Sequence, residues 1–250
     1  MPDVEIKPTQ YKDARPAESF APYHARVRGG EPDAMYEMVR IVTVVHAMIT
    51  FRARSIGSDN APIGPVIFAP NHASFMDHFF TGAFVRRRIQ FMAKSQLFGS
   101  PIPTFIFSHG GVFPVRRGAG DEEAFISAFE ILKRGGAIGM YCEGSRSRNG
   151  EVGAEARAGI GRLAIESGAP VVPVAILGSH QVRNWKRLQF PRVTVSYGVP
   201  LRFEQNAAPT HDEQQEAADV ILERIRVQHA ELVRLGHRGS RRAARSHAVA

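Results

Sequence analysis

One cysteine, one tryptophan and no uninterrupted apolar run of membrane-spanning length bound what this 250-residue chain can be. The lone Cys142 excludes an internal disulfide framework and a cysteine-rich zinc site, a usage that suits a reducing cytoplasm. The most apolar early stretch, residues 38–51, is interrupted by Arg40 and His46 and falls short of the ~20 residues that a spanning helix needs. Met1-Pro2-Asp3-Val4-Glu5 is acidic and polar, so no signal peptide is visible. Acidic residues are also in deficit, 24 against 32 Lys and Arg, and the net charge of +8 calls for an anionic partner. Nucleic acid, an acidic carrier protein, a phosphorylated substrate and an anionic membrane all qualify by charge. Nucleic acid is the weakest of them, because no strand alternates aromatic with basic residues and no zinc-finger spacing occurs. The histidines lack metal-ligand spacing, and no metal is expected.

What is present is enough chain for one sizeable core and an alternation of short β-rich runs with helical patterns. This is the habit of an α/β domain, a central, mostly parallel sheet flanked by helices. Strands are expected at 66–69, 89–92, 111–115, 137–141, 171–177 and 193–197, and helices at 121–134, 156–167 and 211–235. The helix at 121–134 is the clearest: Asp121, Glu122 and Glu123 open it, Lys133 and Arg134 close it, and Gly135 stops it. Residues 1–33, with Pro2, Pro8, Pro16 and Pro22, read as an N-terminal arm without a core of its own. Residues 34–236 form the main domain. Within it, 34–54 reads as an N-terminal amphipathic helix that packs on the domain or lies in a membrane interface. Residues 237–250, with Arg238, Arg241, Arg242 and Arg245, read as a basic, disordered tail. Trp185 is assigned to the core, and His78 and His109 to ordinary surface and loop positions. Phe75, Phe79 and Phe80 suit either packing or the lining of an apolar channel.

Directly after the strand at 66–69 comes Asn71-His72-Ala73-Ser74-Phe75-Met76-Asp77. A neutral imidazole takes a proton from a hydroxyl, and a carboxylate on its other ring nitrogen fixes the tautomer and steadies the imidazolium. Five residues of ideal helix turn through roughly 500°, which leaves the two side chains about 140° apart. The two cannot both point inward from one regular helix; with His72 in the strand-to-helix turn and the helix beginning near Ser74, its side chain can lean back over the first turn toward Asp77. The same residues admit a structural reading, in which Ser74 and Asp77 form a capping box and His72 is a loop residue. Two glycine–arginine clusters follow at later strand ends: 110–117, with Gly110, Gly111, Arg116 and Arg117, and Glu143-Gly144-Ser145-Arg146-Ser147-Arg148. Arginine forks and close backbone amides are what hold a phosphate monoester, and Arg116 and Arg146 are the candidates. Glu143 would orient a guanidinium or bond an acceptor hydroxyl. As solvated turns, the same clusters would carry no chemistry.

Together these blocks resemble the glycerolipid acyltransferase superfamily, as bacterial 1-acylglycerol-3-phosphate acyltransferase typifies it. The resemblance runs from Val66 to Tyr197, in order. The family's N-H-x-x-x-x-D block is similar to Asn71-His72 with Asp77, and its G-x-x-F-x-x-R block to Gly111-Val112-Phe113 with Arg116. Its F-P-E-G-T-R-S block resembles 141–147, and its V-P-V block Val172-Pro173-Val174. Lys94 also matches a family position. Cys142 stands for the usual proline and Ser145 for the usual threonine, which leaves the acceptor side less certain than the chemistry. The resemblance implies an O-acyltransferase with His72 as base, Asp77 as its partner, and Arg116, Glu143, Gly144, Ser145, Arg146 and Lys94 around a phosphorylated acceptor. It implies acyl-CoA or acyl-carrier protein as co-substrate, no bound cofactor and a lysophospholipid acceptor; cysteine usage, net charge and the 34–54 helix lead to the expectation of a cytoplasmic protein, peripheral on the inner face of the plasma membrane. The rival from the enzyme side is a thioesterase-type hydrolase with Cys142 or Ser145 as nucleophile; against it, no G-x-S-x-G elbow is present.

Overall fold

Val66–Pro70 is buried at every position, with Val66 and Phe68 facing one side of a sheet and Ile67 and Ala69 the other. A strand apolar on both faces needs a layer of helices on each, and that requirement organises the molecule. The computed structural model describes residues 12–30, 34–117, 121–147, 149–182 and 190–247. Seven strands, β1 (Arg54–Ile56), β2 (Val66–Pro70), β3 (Ile89–Lys94), β4 (Phe113–Val115), β5 (Ala137–Gly139), β6 (Val171–Leu177) and β7 (Thr194–Tyr197), form one sheet in the order β1-β7-β6-β2-β5-β3-β4. Every neighbouring pair is parallel except β6 and β7.

The helices are α1 (Ala21–Gly29), α2 (Ala34–Thr50), α3 (Asp77–Ala83), α4 (Pro101–His109), α5 (Glu122–Lys133), α6 (Ala158–Ser167) and α7 (His211–His247). One core joins Ile67, Ile138 and Val171 of the sheet to α5, α6 and α7. The second joins Val66, Phe68, Val172 and Val174 to Phe80 of α3 and Ala47 of α2. Gly161 is where α6 and α7 touch, since a Cβ there would overlap the Gln214 carbonyl oxygen. Thr210 and Glu213 cap α7 reciprocally: the Thr210 N–H donates to Glu213 Oε2 at 2.7 Å and the Glu213 N–H to Thr210 Oγ1 at 3.2 Å.

Two expectations are corrected. The arm assigned to 1–33 is not coreless over its described part, because Ala17–Phe20 and α1 are helical and dock on α5, β4 and α4. Phe20, His24 and Val27, spaced by four and three, are all buried, and His24 Nδ1 lies 2.9 Å from Ser127 Oγ. A histidine in the middle of that stripe hid it from a reading of apolar periodicity. The tail assigned to 237–250 is helical through His247. Gly236 breaks α7 at φ 56°, as a glycine stop should, but Arg241, Arg242, Ala243 and Ala244 are good helix formers and the helix resumes with Ser240 buried. Residues 1–11 and 248–250, Arg148, Trp185 and the Arg245 side chain lie outside what is described.

Among the described residues, no helix is long and apolar enough to cross a membrane. α2 instead turns an apolar face outward: Met38, Ile41, Val42, Val45, Met48 and Ile49 are all exposed. α4, which contacts α2, adds exposed Ile102, Phe105 and Ile106.

Candidate active site

Parallel strands bring their carboxyl ends to one edge of a sheet, and β2, β5, β3 and β4 are consecutive there. Each delivers part of the site. Beyond β2, Asn71 continues the pairing with β6 through its side chain: Oδ1 accepts the Ile176 N–H at 2.7 Å and Nδ2 donates to the Ile176 carbonyl at 3.2 Å. That pins the chain one residue before His72.

Asp77 Oδ2 then gathers the turn, accepting the Ala73 N–H at 2.7 Å, the Ser74 N–H at 2.6 Å and His72 Nδ1 at 3.0 Å. One carboxylate oxygen thus ties the turn and orients the imidazole, but the reciprocal half of the expected capping box is not formed among the described residues: Ser74 Oγ accepts the Met76 N–H at 3.2 Å, and the Asp77 N–H donates to the Ser74 carbonyl at 3.4 Å. An acceptor-only oxygen on Nδ1 places the ring proton there and leaves Nε2 with a free lone pair. Asp77 is wholly buried, and its Oδ1 has no hydrogen-bond partner among the described residues. A carboxylate so poorly solvated pulls harder on the donors it has. The His72 ring remains 16% exposed and stacks on Tyr141, with centroids 3.8 Å apart and planes 23° from parallel.

His72 opens onto a cleft of about 320 Å³, whose lining includes Lys94, Arg117, Ser145, Arg146, Tyr141 and His78. Arg117 takes the place expected of Arg116. The Arg116 N–H donates to Asp121 Oδ2 at 2.7 Å and its Nε lies 3.8 Å from the same oxygen, so the residue before α5 holds it to the protein. Partial burial, and then the neighbouring Arg146 guanidinium, lower the Arg117 pKa. Two guanidiniums that repel across a cleft form a receptor for an anion.

Glu143 does not face the acceptor side. It is buried, and its Oε1 accepts the His72 N–H at 3.3 Å, while the Ser147 N–H donates to the His72 carbonyl at 2.7 Å. The loop after β5 thus braces the histidine from behind. Gly144 serves the turn, with φ +66° and a would-be Cβ 3.1 Å from Arg157 Cγ. Cys142 is fully buried in the core beside Ile67 and Ile138, and burial pushes its thiol pKa far up, so it presents no nucleophile to the cleft. His78, expected on the surface, is packed among Phe75, Phe79 and Phe91 and lines the cleft, and desolvation pushes its pKa down to about 4. Arg117, Tyr141 and His78 are polar lining residues to which sequence reasoning gave no part in the site. For Arg117 the only signal was its place beside Arg116.

Burial pushes the Glu143 carboxyl up to about 7, although the N–H groups of His72 and Gly153 pull it down. A raised carboxyl pKa means that the folded chain keeps a proton the unfolded chain releases. Its contribution to stability is greatest below the unfolded value and is lost as pH rises through about 7. The thermal midpoint of Glu143→Gln, compared with that of the parent chain, should therefore shift in the variant's favour between about pH 5 and about pH 8. A difference that stays constant over that range would show that Glu143 does not titrate as a buried acid.

Residues 52–177 match the model of the Acyltransferase family. A chloroplastic 1-acyl-sn-glycerol-3-phosphate acyltransferase of Arabidopsis thaliana is 28% identical over 130 residues, 50% of this chain and 36% of that protein. A lyso-ornithine lipid O-acyltransferase of Pseudomonas aeruginosa is 32% identical over 134 residues, 52% of this chain and 49% of that protein. The chain thus spans less than half the length of these curated relatives. In fold it is similar to the crystal structure of the 1-acyl-sn-glycerophosphate acyltransferase PlsC from Thermotoga maritima, with a TM-score of 0.61 at 21% identity, over 86% of this chain and 88% of that one. The matched span contains the histidine turn, the Arg117 strand end and the Glu143 loop, and the chain belongs to the Acyltransferase family.

Proposed function

We propose that this chain moves a fatty acyl group from an acyl thioester, acyl-CoA or acyl-carrier protein, to the free hydroxyl of a lysophospholipid. The acceptor that suits the cleft best is 1-acylglycerol-3-phosphate, with phosphatidic acid as product. The observation that carries this reading is His72 Nδ1 at 3.0 Å from buried Asp77, on a cleft that also holds Lys94, Arg117 and Arg146. His72 Nε2 takes the hydroxyl proton as that oxygen adds to the thioester carbon. The tetrahedral adduct then collapses, the C–S bond breaks, and the leaving thiolate takes the proton from His72. No acyl-enzyme forms, in keeping with the inward-facing Cys142. Neither a metal nor a bound cofactor has a part in this route.

A second, smaller cavity shares His78, Phe91, Phe107 and Val112 with the cleft and continues between α2, α3 and α4. Its lining, with Val39, Phe79, Ile89 and Ile106, suits an acyl chain. It lies beneath the outward apolar face of α2 and α4, and together these favour a peripheral enzyme that rests on the inner face of the plasma membrane and draws its lipid from it. A second acceptor class, a phosphate-free lyso-lipid such as a lyso-ornithine lipid, is favoured by the Pseudomonas aeruginosa relative and by the engagement of Arg116 with Asp121.

A panel of both acceptor classes with both donors, read by mass spectrometry, decides between them. His72→Ala should lower kcat by about 10²–10⁴-fold while the thermal midpoint holds, the loss typical of a missing general base. Arg117→Ala should raise KM for 1-acylglycerol-3-phosphate more than Arg116→Ala does. Equal effects of the two substitutions, or equal losses with phosphorylated and phosphate-free acceptors, would refute the phosphate assignment. For the membrane surface, Ile41→Glu with Ile49→Glu should abolish sedimentation with anionic vesicles and spare turnover of detergent-dispersed substrate. Undiminished sedimentation would place the contact elsewhere.

A further inference from the structure

Among the described residues, the sheet ends at β4, a three-residue edge strand with β3 as its one neighbour, and Arg117 lies two residues past it. Lys94 closes β3, pairing with Val115, and the turn Ser95–Leu97 follows. These two strand ends carry cations of the cleft, yet the ladder between them stops at Lys94 and Val115. Arg117 is moreover pushed by Arg146, which tends to spread the site when no anion occupies it.

Residues 12–15 cross both strand ends. The Lys12 N–H donates to the Arg117 carbonyl at 2.8 Å, and Gln96 Nε2 donates to the Lys12 carbonyl at 3.2 Å. Asp13 is buried and accepts from wholly buried Ser95 Oγ at 2.6 Å, while Arg15 donates to its two oxygens from Nε at 3.0 Å and Nη2 at 2.8 Å. Arg15 reaches on to the carbonyls of Ser95 and Phe98, each at 2.7 Å, and its guanidinium lies 4.8 Å from the Phe20 ring centroid. The hydrogen bonds from Arg15 hold the Asp13 carboxyl well below the usual carboxylate range, so the cluster keeps its charge pairing at any working pH. A buried carboxylate served by a hydroxyl and a bidentate guanidinium is a rigid joint.

We propose that residues 12–15 act as a strap that holds Lys94 and Arg117 at the spacing an anionic acceptor group requires, with Asp13 and Ser95 as positioning residues. This rests on the reading of the cleft as an acceptor-phosphate site. The strap's hydrogen bonds reach Arg117, Ser95, Gln96 and Phe98 and not His72, so its loss acts on acceptor binding and not on the chemical step. A segment that would read as a dispensable arm thereby becomes part of the recognition machinery.

The test measures steady-state kinetics of the full chain in mixed micelles with 1-acylglycerol-3-phosphate and with 1-acylglycerol. Asp13→Asn should raise KM for the phosphorylated acceptor by about tenfold, the scale of one lost charge-assisted hydrogen bond, with kcat unchanged within about twofold. KM for 1-acylglycerol should not move. Ser95→Ala, which removes one hydrogen bond and keeps the ion pair, should act in the same direction and serves if Asp13→Asn does not fold. An unchanged KM for the phosphorylated acceptor, or an equal rise for both acceptors, would overturn the strap. Arg146→Ala separates the two claims. If it raises KM for the phosphorylated acceptor while the strap variants do not, the strap alone is wrong; if it does not, the phosphate reading fails and the strap falls with it.

Discussion

A single carboxylate oxygen, Asp77 Oδ2, accepts from two backbone amides and one imidazole, and the site is arranged around that fact. The amides fix the turn between β2 and α3, and the imidazole takes its direction from the same atom, so turn geometry and ring geometry cannot vary independently. Buried and with its second oxygen unpaired among the described residues, the carboxylate has few other partners to satisfy it. Tyr141 stacked on one face of the ring and Glu143 on the His72 backbone remove the remaining freedom. Preorganisation of this kind is what a general base needs, because no reorganisation is then required as the proton moves.

The sheet supplies the rest by topology. Four consecutive parallel strands end on one edge, which brings His72, Tyr141, Ser145, Arg146, Lys94 and Arg117 around one cleft although up to 74 residues separate them in the chain. Concentrating cations there is unfavourable until an anion arrives, and the bonds that hold them are correspondingly dense. Asp121 restrains Arg116, the segment before α1 crosses the ends of β3 and β4, and Asn71 extends β2 onto β6. The apolar side is organised separately, by an inner cavity between α2, α3 and α4 and an outer face on α2 and α4.

Local signals in the sequence were enough for the elements whose ends are chemically marked. Glu122 and Lys133 bracket α5, and the run of β-branched residues in 171–177 is strand throughout. Elements with ambiguous chemistry escaped: β1 is three residues of mixed polarity, and α4 begins with Pro101 and Pro103, which punctuate loops as often as they open helices. The His72–Asp77 pair was legible because five residues of spacing leave few geometries. The exchange of Arg116 for Arg117 was not, since it depends on the contact that Arg116 makes with Asp121. Nor was the inward role of Glu143, which depends on a backbone amide 71 residues away. In each case the missing information was tertiary, a partner and not a propensity.

The tautomer of His72 tests the central claim most directly. In a chain labelled with ¹⁵N-histidine, with the His72 signals assigned by their loss in His72→Gln, the neutral imidazole should carry its proton on Nδ1 and leave Nε2 bare. A resting His72 protonated on Nε2 would contradict the account, because the nitrogen that must accept the hydroxyl proton would already hold one.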